Sequence, residues 1–120
     1  MVSMKMCMIA TGDYFSPSAL EISLGIRLVK KQEKGEIGTN GRYKDARLPT
    51  GSCIIEMDNN DDLINFIESN MALLLKYGIT DMILDISVEY SDQCNFEFTS
   101  DWLARISRLN IPVSISCYKI

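Results

Sequence analysis

Ile79-Thr80-Asp81-Met82-Ile83-Leu84-Asp85-Ile86-Ser87-Val88-Glu89-Tyr90, followed by Ser91-Asp92-Gln93-Cys94-Asn95-Phe96-Glu97-Phe98-Thr99, is the stretch on which the fold turns. Met82, Leu84, Ile86, Val88 and Tyr90 alternate with Asp81, Ile83, Asp85, Ser87 and Glu89. Period two means a strand with one face on a core and one mostly in water. Ser91-Asp92-Gln93 then has turn composition, and Cys94, Phe96 and Phe98 alternate with Asn95 and Glu97, which predicts a partner strand and a hairpin.

Working outward, Thr99 or Ser100 caps a helix carrying Trp102, Leu103, Ile106 and Leu109, and Val113 to Tyr118 alternates again as a closing strand. Upstream, Asn59 or Asn60 caps the longest helix, with Asp61 and Asp62 at its positive end. Its apolar stripe runs through Leu63, Ile64, Phe66, Ile67, Met71, Leu74 and Leu75 to Gly78. Cys53-Ile54-Ile55 lies in a strand over Ser52–Met57. Near the start, Ser3–Thr11 reads as a strand. Ser16 and Pro17 then open a helix that Gly25 stops, with Phe15 and Leu20 at the spacing of a hydrophobic staple and Ser18 with Glu21 offering a capping box. Ile26 to Thr50 is a polar, basic excursion with Gly35, Gly38, Gly41 and Pro49 and room for one ragged strand inside it, and Lys30 to Arg47 is expected to be mobile.

The order expected is thus β-α-β-α-β-β-α-β. It describes an α+β fold, a single domain over 1–120 with a mainly antiparallel sheet, helices on one face, and a split β-α-β arrangement related to the ferredoxin-like fold.

Composition narrows the function. The 120 residues are 47% hydrophobic and 23% charged, so a buried core is expected rather than a disordered, collagenous or coiled-coil chain. No apolar run reaches the roughly 18 residues of a membrane span, and the opening residues lack the order of a signal peptide, which places the protein in the cytoplasm. Histidine is absent, and with it every Ser-His-Asp or Cys-His arrangement. Cys7, Cys53, Cys94 and Cys117 have no C-x-x-C spacing and read as reduced, small core residues.

Five further patterns imitate chemistry and fail on spacing or setting. Asp58-x-Asn60-x-Asp62 begins like a calcium loop but has Leu63 where the turn glycine belongs and Ser69 where the bidentate glutamate belongs. The triplet Gly35, Gly38 and Gly41 lacks phosphate-loop spacing, and Tyr43 alone is a thin platform for RNA. Ser116-x-x-Lys119 on a strand points its two side chains to opposite sides. Asp85 and Glu89, on an open face, have no pocket that would divide them into an acid and a base. The reading is therefore not an enzyme: no cofactor, no metal, no nucleic acid, no membrane and no small-molecule substrate.

The net charge of −4 conceals two blocks. Arg27 to Arg47 holds seven basic residues against three acidic ones, a net +4, while Glu56 to Asp101 holds eleven acids against Lys76 alone, a net −10. Such an acidic field repels nucleic acid and steers basic partners into encounter. On the expected hairpin, Asp85, Ser87 and Glu89 share a side with Asn95 and Glu97, and these five are the candidate partner-binding residues.

Phe15-Ser16-Pro17-Ser18-Ala19-Leu20-Glu21-Ile22-Ser23-Leu24-Gly25-Ile26, then Lys34-Gly35, and then Leu103 to Leu109 followed by a strand ending on Tyr118, resemble an uncharacterised bacterial family of small domains of unknown function. The tryptophan frequent in that family's strand after the basic excursion is replaced here by Cys53-Ile54. The resemblance implies a small cytosolic bacterial domain and transfers no catalytic residue. In size and acidity the chain is also similar to immunity proteins of polymorphic toxin and contact-dependent growth inhibition systems. That similarity implies a stoichiometric inhibitor of a cognate toxin domain, a nuclease with a basic cleft being the case in point. The alternative is a generic non-enzymatic interaction or regulatory module with a different partner.

Overall fold

A computed structural model of the chain describes residues 2–120. Five strands and three helices run in the order β1 (Val2–Gly12), α1 (Pro17–Leu24), β2 (Val29–Gln32), β3 (Gly51–Ile55), α2 (Asn60–Lys76), β4 (Asp81–Tyr90), α3 (Ser100–Leu109) and β5 (Val113–Lys119). They form one sheet of spatial order β2-β3-β1-β4-β5, antiparallel except where β4 and β5 run parallel. The fold is a two-layer α+β arrangement with a mostly antiparallel open sheet, as the alternation and helix signals require.

The local signals explain the helix ends. Ser16 caps α1 by accepting from the Ala19 N–H, Pro17 takes the first turn, and Gly25 ends it in the left-handed region at φ 64°. Asn59 caps α2 and Thr99 caps α3, accepting from Asp62 N and Trp102 N. Glu21 does not close a capping box. Its carboxylate reaches the Leu28 N–H at 2.6 Å and Lys31 Nζ at 2.7 Å instead, tying the start of the basic excursion to α1.

Parity along the strands builds the core. Met6, Met8 and Ala10 of β1, Cys53 and Ile55 of β3, and Met82, Leu84, Ile86 and Val88 of β4 turn to the helix side, against Leu20, Leu63, Ile64, Ile67, Leu74, Ile106 and Leu109. Arg105 ties α3 to α2, with Nε on Glu68 at 3.0 Å, NH1 near Asp61 at 3.5 Å and NH2 on Asn65.

The element order differs from the expected one at two places. Cys94–Phe98 is not a strand, so there is no hairpin. The segment is coil, and Phe98 stacks on Trp102 with ring centroids 4.4 Å apart while Phe96 meets Phe98 edge-on at 5.1 Å. Both flanks of β4 are filled from far away in sequence, by β1 and by β5. The second difference is β2, the ragged strand of the basic excursion that the expected order left out, which pairs with β3. That excursion is also internally bonded, with Gly35 N on Leu48 O at 2.8 Å, Leu48 N on Glu36 O at 2.8 Å and Leu48 buried. Among the described residues no helix is long and apolar enough to cross a membrane.

Candidate functional site

With all helices on one side, the other face of the sheet is uncovered, and the strand registers lay out its rows. Val29 pairs Ile54, Ile54 pairs Ile9, and Ile9 pairs Ile83, so four apolar side chains line up across four strands. Ile83 is 38% exposed and the other three are half-buried. On one side of this row lie Ser52, Thr11 and Asp81. On the other lie Cys7, Asp85 and Ser114, then Lys5, Ser87 and Ser116, then Ser3, Glu89 and Tyr118. The result is an apolar bar with carboxylates on both flanks.

Asp85 is the best-anchored carboxylate of the face. Ser114 Oγ donates to its Oδ1 at 2.6 Å across the parallel pairing, and Cys7 Sγ stands 4.0 Å from Oδ2. Burial pushes the Cys7 thiol up, and the neighbouring Asp85 and Glu56 carboxylates push it further by disfavouring a thiolate beside them. Glu56, directly after β3, therefore belongs to the same electrostatic neighbourhood.

Of the five expected partner-binding residues, Asp85, Ser87 and Glu89 project together from β4 as the alternation required. Asn95 and Glu97 do not join them. They sit in the coil between β4 and α3, where Asn95 Nδ2 donates to Gln93 Oε1 at 2.9 Å and where Cys94 and Phe98 pack toward the helix side. Charge on this face is also partly relieved. No basic residue lies between Ile79 and Asp101 in sequence, yet Lys5 of β1 stands directly across from Ser87, between the two carboxylates of β4. The acidic block is not a single face either, since Asp61 and Glu68 lie on α2 and pair with Arg105 of α3.

No protein-family model, curated protein or solved structure matches the chain.

The cysteines divide by environment. Cys53 is 2% exposed, and burial pushes its thiol up to about 12. Cys117 is exposed on the edge strand, which corrects the expectation that all four are core residues, and its Sγ lies 3.6 Å from that of Cys94. Asn60 also departs from the calcium-loop pattern: its amide bonds Met4 O and Met6 N of β1 rather than facing a cation site.

The apolar row was the part that sequence reading missed. Its signal was there, in Ile9, Ile54 and Ile83, each an apolar residue on the face of its strand opposite the core. Only the register shows that the three align.

Proposed function

We propose that this chain is an immunity protein, which binds a basic toxin domain through the open face of its sheet and neutralises it by occupancy, without catalysis, in the cytoplasm of the producing cell. The observation that carries the reading is the row Val29–Ile54–Ile9–Ile83 with Asp81, Asp85, Glu89 and Glu56 around it. Stable protein interfaces have this anatomy, an apolar centre that loses water and a charged rim that selects the partner. A rim of carboxylates favours lysine and arginine opposite it, as on the nucleic-acid cleft of a nuclease, and accelerates encounter at low salt.

The test is co-expression with a basic toxin domain from any toxin gene that adjoins the chain's own. Growth rescue together with co-purification supports the reading, and both should be lost when Ile9 and Ile83 are replaced by lysine. Co-purification without rescue points instead to an interaction module. Rescue that survives both substitutions removes the open face from the mechanism.

A further inference from the structure

The two edges of the sheet are built differently. Edge strand β2 is short, carries Lys30 and Lys31, has a register irregularity against β3, and places Lys30 at φ 48°. These are the devices by which proteins keep a sheet edge from pairing with another chain. The other edge, β5, has only one charge, Lys119 at its last position, and neither a short length nor a register irregularity. Val113-Ser114-Ile115-Ser116-Cys117-Tyr118 contains no charge, no proline and no bulge, and follows β4 in an unbroken register that continues to Lys119.

Hydrogen-bond parity tells which backbone groups of β5 face outward. Pro112 O accepts from Leu84 N at 2.9 Å, and Ile120 N donates to Tyr90 O at 2.8 Å. In a parallel ladder every second residue uses both its N–H and its C=O on one neighbour, so the even-numbered residues serve β4. Val113, Ile115, Cys117 and Lys119 therefore aim their N–H and C=O groups away from the sheet. The same odd-numbered residues pair with Leu84, Ile86, Val88 and Tyr90 and so stand on the helix side, yet Val113 is 41% and Ile115 49% exposed. The edge thus presents unused backbone groups together with the uncovered end of a core row.

We propose that β5 pairs antiparallel with β5 of a second copy of this chain, joining two sheets into one of ten strands. A two-fold axis perpendicular to the sheet keeps helices with helices and open face with open face. With Ile115 on that axis, Ile115 opposes Ile115, Val113 opposes Cys117 of the second copy, and Ser114 opposes Ser116 of the second copy. Every pair is then apolar with apolar or hydroxyl with hydroxyl, and no charge meets a like charge. Self-complementarity selects a second copy over an unrelated strand. Lys119 lies beyond this central set, so it leaves the pairing unopposed. The pairing uses the backbone edge of β5, which borders the acidic open face through Ser114 and Ser116, and it does not depend on how that face is used.

Analytical ultracentrifugation over a concentration series tests the proposal. The expected result is a doubling of mass with rising concentration, abolished or shifted at least tenfold in concentration by Ile115→Lys. Because Ile115 is half exposed, a circular dichroism melt of that variant should match the parent. Independently, Ile115→Cys in a chain also carrying Cys7→Ser, Cys94→Ser and Cys117→Ser should be joined to its own copy by a short bismaleimide. A chain that stays monomeric up to about 1 mM overturns the proposal, as does a dimer indifferent to Ile115→Lys. A monomer that accepts an added extended peptide along β5 assigns the edge to another occupant and also overturns it.

Discussion

Asn60 acts as a substitute strand for Met6. Its Oδ1 accepts from the Met6 N–H at 3.1 Å, while its Nδ2 donates to Met4 O at 3.3 Å. The need arises because β3 ends at Ile55, opposite Met8, and leaves the next backbone groups of β1 without a ladder partner on that side. A half-buried peptide group left without a partner costs about 1–3 kcal/mol. Asn60→Ala should therefore lower unfolding stability by about that amount, read as a shift in urea midpoint at unchanged slope. Asn60→Asp keeps the acceptor for Met6 but sets a carboxylate against Met4 O, so it should rescue little. An Asn60→Ala variant as stable as the parent would mean that water serves these groups equally well.

Cys94 and Cys117 should be joined by mild oxidation, whereas Cys53 should not react. The two sulfurs already lie 3.6 Å apart, and Cys94 belongs to a coil that can close the remaining distance of about 1.5 Å to a bond. Diamide would take two electrons and two protons from the pair, forming one intramolecular disulfide and the reduced hydrazine. Burial first, and then the hydrogen bond with Cys117, push the Cys94 thiol up, so the reaction should quicken as pH rises through the thiol range. Cys53, with its thiol at about 12, should be alkylated only after unfolding. Peptide mapping after diamide treatment at pH 8 checks both statements.

Legibility in the sequence followed the range of the interactions. Ser16, Pro17 and Gly25 acted within one helix, as did Asn59 and Thr99, and each was readable because its partner lies three or four residues away. Cys94–Phe98 misled because alternation shows only that a segment can be extended, not that a neighbour is available. The place beside β4 went to β5, whose Ser114 also reaches Asp85. The candidate site divides in the same way. Asp85, Ser87 and Glu89 share a strand and their common face follows from spacing, while Lys5 and the row of Ile9, Ile54 and Ile83 needed a register that spans most of the chain.

Glu21 should make a pH-dependent contribution at acid pH. The Lys31 ammonium, and then the Leu28 N–H, hold its carboxyl below the ordinary 4.5. A carboxylate whose folded pKa is depressed adds stability that is fully present above the unfolded value and disappears as pH falls through the lowered one. The difference in urea midpoint between the parent and Glu21→Gln should thus be constant above about pH 5.5 and shrink below 4.5. The pair is exposed, so added salt should reduce the difference at every pH. Hydrogen exchange at Leu28 should quicken in the variant, because its amide loses a charged acceptor.

The open face makes the sharpest prediction, because the structure divides residues that the sequence grouped. Asp85 and Glu89 stand on β4 beside Ser87 and across from β1, with their carboxylates toward the uncovered side. Glu97 has an equal charge but lies in the coil before α3. If a basic partner docks on the sheet, Asp85→Lys with Glu89→Lys places two repelling charges in the rim and should cut the association rate by at least tenfold at low salt. Glu97→Lys should change it several times less. Glu97→Lys should keep the parent's melting profile, whereas the double variant loses the Ser114 bond to Asp85 and surrounds Lys5 with like charge, so it should melt somewhat lower but still cooperatively, its core being untouched. The parent's own association rate should fall as salt rises, and the double variant should lose most of that dependence. Stopped-flow or surface-bound kinetics against the toxin domain decide the matter. Equal losses from the coil and the strand would mean that only net charge is being read, whereas a loss confined to Asp85 and Glu89 locates the contact on the open face.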